Sequence, residues 1–405
     1  MKKFLALMLA ALMMFALVAC GGNNATNGNA DETTTAAGTT DYSSIKMGLI
    51  CLHDENSTYD ANFIQAAEAA SKELGFELVK KVNIPEDDSC AQAAEELAED
   101  GCDIIFADSF GHETYMMTVA EEYPEVQFCH ATGTNAKTSD MANYHNAFAS
   151  IYEGRYLAGI AAGMKINEMI KEGKFTAEEA KMGYVGAYPY AEVISGYTSF
   201  YLGAKSVCPS VTMTVKYTNS WFDIALEKEA ADALIGEGCI LISQHADSEG
   251  APKACEEKGV PNVAYNVNTI NLGPTTAIIS SKIDWTPYFK LIVEAVAKGE
   301  AIPDDWCGSI ATGSVVLTEL NEDVAAEGTQ DAIDAAIKEF KEGTLKVFNT
   351  ANFTVDGETL ESYKADVVPD ANFEKDTEVV SDGYFHESEM RSAPYFDIII
   401  DGITA

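Results

Sequence analysis

Basic residues are scarce in this chain: 26 lysines and arginines stand against 64 aspartates and glutamates, for a formal net charge of −38 over 405 residues. Neutralising a phosphate backbone takes clustered cations, so a nucleic-acid partner is excluded. No polybasic stretch is available for anionic lipid either, and the acidity reads as a solubility feature. The usual catalytic signatures are also missing. There is no G-x-S-x-G elbow, no phosphate-cradling G-x-x-x-x-G-K-[ST] and no H-E-x-x-H, and Gly183-Tyr-Val-Gly186 is too short for a dinucleotide fingerprint. Carboxylates abound, yet none is paired with a base at a spacing that demands chemistry. The expectation is a protein that is not an enzyme and carries no cofactor.

Paired cysteines are lacking as well. Of nine cysteines, all but Cys20 are scattered singly and no C-x-x-C occurs. Cys51, Cys129 and Cys239 lie in or beside apolar runs, where a free thiol serves as a small buried hydrophobe. Mostly reduced thiols and no metal site are expected.

Long apolar runs are limited to one. Lys2 and Lys3 precede an uncharged stretch over residues 4–18, too short for a stable membrane span and typical of a signal peptide. It ends in Leu17-Val18-Ala19-Cys20, which resembles the lipobox of bacterial lipoproteins; residues 1–20 would then be the leader, with Cys20 carrying the acyl chains. Several chains are needed for firm attachment. Residues 21–42, rich in Gly, Asn, Thr and Ala, cannot bury enough surface to offset their ordering entropy and read as a flexible tether. The remainder exceeds the usual single-core limit, so two lobes are expected.

Along that remainder, short β-branched runs alternate with helical periods, the pattern of a parallel sheet wrapped by helices. Strands are expected at residues 46–52, 77–82, 103–107, 126–129 and 143–148, with helices at 89–99 and 113–122. Ser57-Thr-Tyr-Asp60 looks like a capping box opening a further helix that Gly75 ends. A long helix over 150–170 leads to a second series, with strands at 182–186, 212–217, 240–243, 262–265 and 276–280 and helices at 192–205, 223–236 and 251–258. The fold class is therefore α/β, with each of two lobes a doubly wound, mostly parallel sheet. The first lobe is expected to take residues 43–150 plus about 281–310, and the second 151–280 plus about 311–405. Near the end, a helix at 329–341, strands at 345–348 and 395–404, and a turn at Asp356-Gly357 read as sheet edges and elaboration.

In open parallel sheets the ligand sits beyond the carboxyl ends of the strands. The residues there are rich in aromatics, carboxylates and amides: Ser57 and Tyr59 after the first strand, then Asp108 and Phe110, Tyr188, Trp221 and Asp223, Gln244 and Asp247, Asn266, and Trp285. Each has a structural alternative. Asp223 and Ser57 serve as helix N-caps, and Trp221 and Trp285 as lobe-packing residues. The recurrence in both halves points to a flat heteroaromatic ligand, stacked on rings and read by polar edges.

These stretches, namely Phe106-Ala-Asp-Ser-Phe-Gly111, His130-Ala-Thr-Gly133, Tyr152-Glu-Gly-Arg-Tyr-Leu-Ala-Gly159, Asn219-Ser-Trp-Phe-Asp223 and Gln244-His-Ala-Asp-Ser248, resemble the basic membrane protein family of purine-nucleoside-receptor-like lipoproteins that serve ABC importers. The resemblance covers about residues 45–348. It implies a type 1 periplasmic-binding-protein fold closing on a purine nucleoside or base, a monomer at the membrane, and a permease and ATPase as partners. Phe110 and a cleft tryptophan would sandwich the base, Asp108, Gln244 and Asp247 would meet its polar edge or the ribose, and Ser57, Tyr59 and Trp285 would complete the wall. Tyr152, Glu153 and Arg155 would form hinge structure through an ion pair. The first loop departs from the family: Ser57-Thr-Tyr-Asp-Ala-Asn62 replaces a Gly- and Asp-rich loop ending in Ser-Phe-Asn, which leaves the ribose contacts open. A sensing receptor of the same fold, and a binder of another heterocycle or a pentose, are the competing readings.

Overall fold

The computed structural model describes residues 41–368 and 374–405. The expected leader, lipobox cysteine and all but the last two tether residues lie outside the described residues. Asp41–Ala405 forms one compact unit built of two α/β lobes.

In the first lobe, strands β1 (Lys46–Ile50), β2 (Glu77–Lys81), β3 (Ile104–Ala107), β4 (Gln127–Ala131) and β5 (Tyr144–Ala149) alternate with helices α1 (Thr58–Leu74), α2 (Asp88–Glu99) and α3 (Glu113–Glu122). The second lobe opens with α4 (Ile151–Lys171) and repeats the scheme with β6 (Lys181–Gly186), α5 (Ala191–Val207), β7 (Thr212–Tyr217), α6 (Ile224–Gly236), β8 (Leu241–His245), α7 (Gly250–Lys258), β9 (Asn262–Tyr265) and β10 (Ala277–Ile283). The chain then returns to the first lobe for α8 (Thr286–Lys298) and β11 (Asp305–Gly308), and crosses once more to β12 (Val315–Leu317) and α9 (Thr329–Glu342). The sheets have orders β11-β5-β4-β3-β1-β2 and β12-β10-β9-β8-β6-β7, the second extended by a last short strand. Apart from antiparallel β12, all of these strands pair in parallel. The two halves are thus topological copies, and their strand carboxyl ends face one cleft.

Helices cover both faces of each sheet, which is why central strands such as β3, β8 and β9 are buried at every position, β3 as the continuous apolar run Ile-Ile-Phe-Ala. In the first lobe, Trp285 stacks on Phe63 at 4.5 Å between ring centroids. In the second, α4 crosses α5 at glycines: a Cβ on Gly159 would lie 2.1 Å from the Phe200 carbonyl oxygen, and one on Gly203 would lie 2.0 Å from that of Tyr156. Only hydrogen fits there.

Two expected strands are not formed. Residues 345–348 continue the capping turn of α9, with the Leu345 N–H on the Glu339 carbonyl and the Asn349 N–H on that of Lys346. Most of 395–404 is irregular because the N–H groups of Tyr395 and Phe396 are taken by the buried Glu387 carboxylate, at 3.2 and 3.0 Å, rather than by a neighbouring strand. Short ladders β13 (Lys364–Ala365) with β14 (Thr377–Glu378) and β15 (Val380–Ser381) with β16 (Tyr384–Phe385) precede β17 (Ile403–Thr404), which joins the second sheet beside β7. At Asp356 and Gly357, φ values of 51° and 82° make the expected turn, closed by a single bridge between Val355 and Glu358. All eight described cysteines are free, and all but Cys307 are buried.

Candidate functional site

The cleft begins with the loop after β1. Ser57 caps α1, its hydroxyl accepting the Asp60 N–H at 3.3 Å. The reciprocal half of a capping box is absent, because Asp60 turns away to accept the His53 N–H at 2.8 Å and to meet the Ser57 hydroxyl. Behind it, Asp108 follows β3, its carboxylate accepting the Leu52 N–H at 3.1 Å and its carbonyl the Tyr59 hydroxyl at 3.0 Å. Beyond it, the short helical turn Phe110–His112 holds Phe110 53% exposed at the cleft mouth.

The second lobe supplies the opposite wall. Tyr188 and Tyr190 stack at 5.1 Å with an 11° interplanar angle, and Trp221 packs edge-on against Tyr188 at 5.2 Å. Tyr190 faces Phe110 across the gap at 6.3 Å, and Phe222 faces His53 at 5.4 Å. The lobes also touch through polar groups. The Thr58 N–H donates to the Asp247 carbonyl at 2.8 Å, Asn62 donates to Asn266 at 3.0 Å, and Asn266 donates to the Asp247 carboxylate at 3.2 Å. Asn266 reaches this position from a left-handed backbone, φ 69°.

Between these walls lies a narrow slot with a cavity volume of about 20 Å³, lined by Leu52, His53, Tyr59, Asp60, Ser109, Phe110, Thr132, Glu192, Trp221, His245 and Asp247. The lobes are drawn close here, and a ring the size of a nucleobase enters only as they part. Carboxylates line it and no lysine or arginine does.

Burial sets the charge state. Desolvation, reinforced by the charge of neighbouring Asp60, pushes Asp108 well above the usual carboxylate range. Desolvation together with Glu227, Asp60 and Glu192 does the same to Asp247. Burial works in the same direction on Asp60, but hydrogen bonds from His53 and Ser57 outweigh it and hold that carboxylate below its ordinary value. His245, buried beside the Arg155 charge, is pushed down to about 4 and stays neutral. The Cys51 thiol joins Asp60 and Asp108 in a group whose donor atoms lie within 4.8 Å of one another. Desolvation, with the charges of Asp108 and Asp60, also pushes that thiol up.

Of the residues singled out from the sequence, Tyr59, Phe110, Trp221 and Asp247 line the slot. Asn266 and Asp108 stand directly behind it, and Tyr188 backs Tyr190 and Trp221. Four others lie elsewhere. Ser57 is wholly buried as an N-cap, and Asp223 caps α6 through the N–H groups of Ala225 and Leu226. The Gln244 side-chain oxygen turns inward to accept from Asn262. Trp285 is 1% exposed in the first-lobe core, where its ring buries more apolar area than a cleft wall offers.

Nor does Glu153 pair with Arg155. Glu153 accepts the Ile310 N–H of the third crossing at 2.7 Å, while Arg155 donates to the Gln244 carbonyl at 2.8 Å and lies 3.4 Å over the Tyr265 ring. Sequence reasoning missed His53, Asp60, Thr132, Glu192 and His245 as lining groups. Asp60 and Glu192 were readable only as first-turn residues of their helices, and nothing in the local pattern marks which first-turn carboxylates face the cleft.

A sequence model of the family described as ABC transporter substrate-binding protein PnrA-like matches residues 50–345. The chain belongs to this family. A purine-binding protein of Brucella abortus is 35% identical over 63% of this chain and 69% of its own length. A Haloferax volcanii protein named as an ABC transporter glucose-binding protein is 35% identical over 64% of this chain but 62% of its own, so the match spans less than two thirds of that relative. Among solved structures, an ABC transporter solute-binding protein from Conexibacter woesei aligns with a TM-score of 0.61 and 21% identity, over 75% of this chain and 98% of its own, which shows the shared fold. Among the described residues, no helix is long and apolar enough to cross a membrane.

Proposed function

We propose that this PnrA-like substrate-binding protein captures a purine, as nucleoside or free base, between its lobes and delivers it to an ABC permease and ATPase. The observation that carries the reading is the slot itself. Phe110 of one lobe opposes Tyr190 and Trp221 of the other, the separation a flat ring needs once the lobes part slightly, and Asp60, Glu192 and Asp247 stand at its edges. Stacking holds any heteroaromatic ring at about 1–3 kcal/mol per base. Acceptor carboxylates then select rings that present N–H or amino donors, and a slot without cations disfavours phosphorylated ligands. The name of the Brucella relative supports the same ligand class.

In this reading the first lobe, residues 43–150 with about 281–310, and the second, 151–280 with about 311–405, close on the ligand by hinge motion. A ligand touching both lobes favours the closed state. The protein works as a monomer outside the cytoplasm, tethered through lipid on Cys20, and it is a binder rather than an enzyme.

A sugar-binding reading is favoured by the name of the Haloferax relative and by the same edge carboxylates, which also accept from sugar hydroxyls. Thermal stability against a panel of adenine, adenosine, guanosine, ribose and glucose separates the two, because a tight ligand raises stability by mass action. A shift with purines alone supports the proposal. A shift with sugars alone replaces it.

A further inference from the structure

The family match ends at residue 345, and the segment beyond it is built differently from both lobes. It is anchored in the second lobe at several points. β17 extends the second sheet beside β7, and Phe348 packs 5.3 Å from Tyr152 of α4 and carries Phe396 stacked on it at 4.4 Å, while within the segment Glu387, 1% exposed, holds the Tyr395 and Phe396 N–H groups. From this base, residues 390–392 reach the first lobe. The Ser392 N–H donates at 2.9 Å to the Asp305 carboxylate on β11, the edge strand of the first sheet. The Met390 carbonyl accepts Lys137 Nζ at 2.6 Å, and Lys137 itself lies 3.1 Å from Asp305. The Asp305 side chain is 5% exposed and Lys137 48% exposed. One buried carboxylate and one lysine of the first lobe thus grip a segment that is fixed to the second.

We propose that the C-terminal extension is an interlobe strap whose grip on Asp305 and Lys137 biases the lobes towards the closed arrangement. The inference rests on the lobe-closing part of the reading above and is independent of the ligand. Rotation of one lobe about the three crossings shifts β11 relative to residues 390–392, so these contacts form in one arrangement and are lost in the other. Contacts present in only one of two states shift the balance by their full worth.

The test is amide exchange of the full-length protein without added ligand, read at Thr58, whose N–H closes the opposite side of the cleft on Asp247. Lys137→Ala removes an exposed side chain and leaves both cores intact. It should speed Thr58 exchange about three- to tenfold, the scale of one charge-assisted contact, while exchange in the core strands β3 and β8 stays unchanged. Lys137→Arg should restore the slow rate, and Asp305→Asn, which retains an acceptor for Ser392, should fall between. Faster exchange at Ser392 with an unchanged rate at Thr58 would overturn the proposal, because the grip would then be broken with no effect on closure.

Discussion

The Asp247 carbonyl of the second lobe accepts the N–H of Thr58, at the start of α1 in the first, at 2.8 Å. The same residue's carboxylate accepts Asn266, which in turn accepts Asn62 of the first lobe. Asp247 is therefore both a wall of the slot and the point where the lobes meet. Asp247→Ala leaves the backbone contact and removes the acceptor, stranding the Asn266 amide. Purine affinity should drop at least about tenfold through loss of the edge acceptor, and the melting temperature should fall as well, because a buried donor left unpaired costs about 1–3 kcal/mol. Titration calorimetry with adenine and adenosine measures the affinity, and a thermal scan the melting temperature.

Stability should fall on either side of a maximum. Desolvation raises Glu153, Glu227 and Glu387 each to about 7. A carboxyl whose folded value is raised binds more protons in the native state, so its contribution is complete below the ordinary value of about 4.5 and is lost as pH rises through about 7. Burial lowers His112 and His245 to about 4. Their contribution is complete above the ordinary 6.5 and is lost as pH falls towards 4. Melting temperature should peak near mildly acidic pH. Glu387→Gln should flatten the alkaline limb, and an unchanged limb would remove that residue from the account.

The close crossing of α4 and α5 predicts a contrast between two glycines. Gly203→Ala puts a methyl 2.0 Å from the Tyr156 carbonyl oxygen, backbone that cannot move aside cheaply. A loss of about 1–3 kcal/mol is expected from the overpacking. Gly236, exposed in the last turn of α6, has nothing within 4 Å of its Cβ position. Gly236→Ala should instead gain about 0.5–1 kcal/mol through helix propensity. Urea titration of the two variants provides the comparison.

Much of this architecture was legible in the sequence. Apolar runs such as Ile104–Ala107 and residues 277–279 are buried throughout and have no alternative reading once helical periods flank them. The end of the chain was not, because alternation in 395–404 predicts a strand while a carboxylate 8 and 9 residues away takes its N–H groups. Tertiary partners of that kind leave no local trace. At the site, Phe110 and Trp221 were legible from their place after strands, whereas Trp285, equally aromatic and equally placed, turned into the core. Whether a ring at a strand end faces the cleft depends on the register of the following helix, and α8 begins directly after Trp285, at Thr286.

Phe110 and Trp285 therefore give the sharpest test of which aromatic residues act on ligand. Phe110 is half exposed and makes one ring contact, across the cleft to Tyr190. Trp285 contacts Phe63, Phe106, Phe148 and Tyr288 and is 1% exposed. Phe110→Ala removes a stacking face while leaving the core untouched, so purine affinity should weaken by roughly 1–3 kcal/mol with stability unchanged within about 0.5 kcal/mol. Trp285→Phe shrinks a packed core ring, so stability should drop by about 1–3 kcal/mol while affinity, measured well below the melting transition, stays the same. The two variants exchange roles only if the aromatic slot is not where the ligand stacks. Equal losses of affinity in both would mean that binding reads the rigidity of the first lobe rather than contact with Phe110.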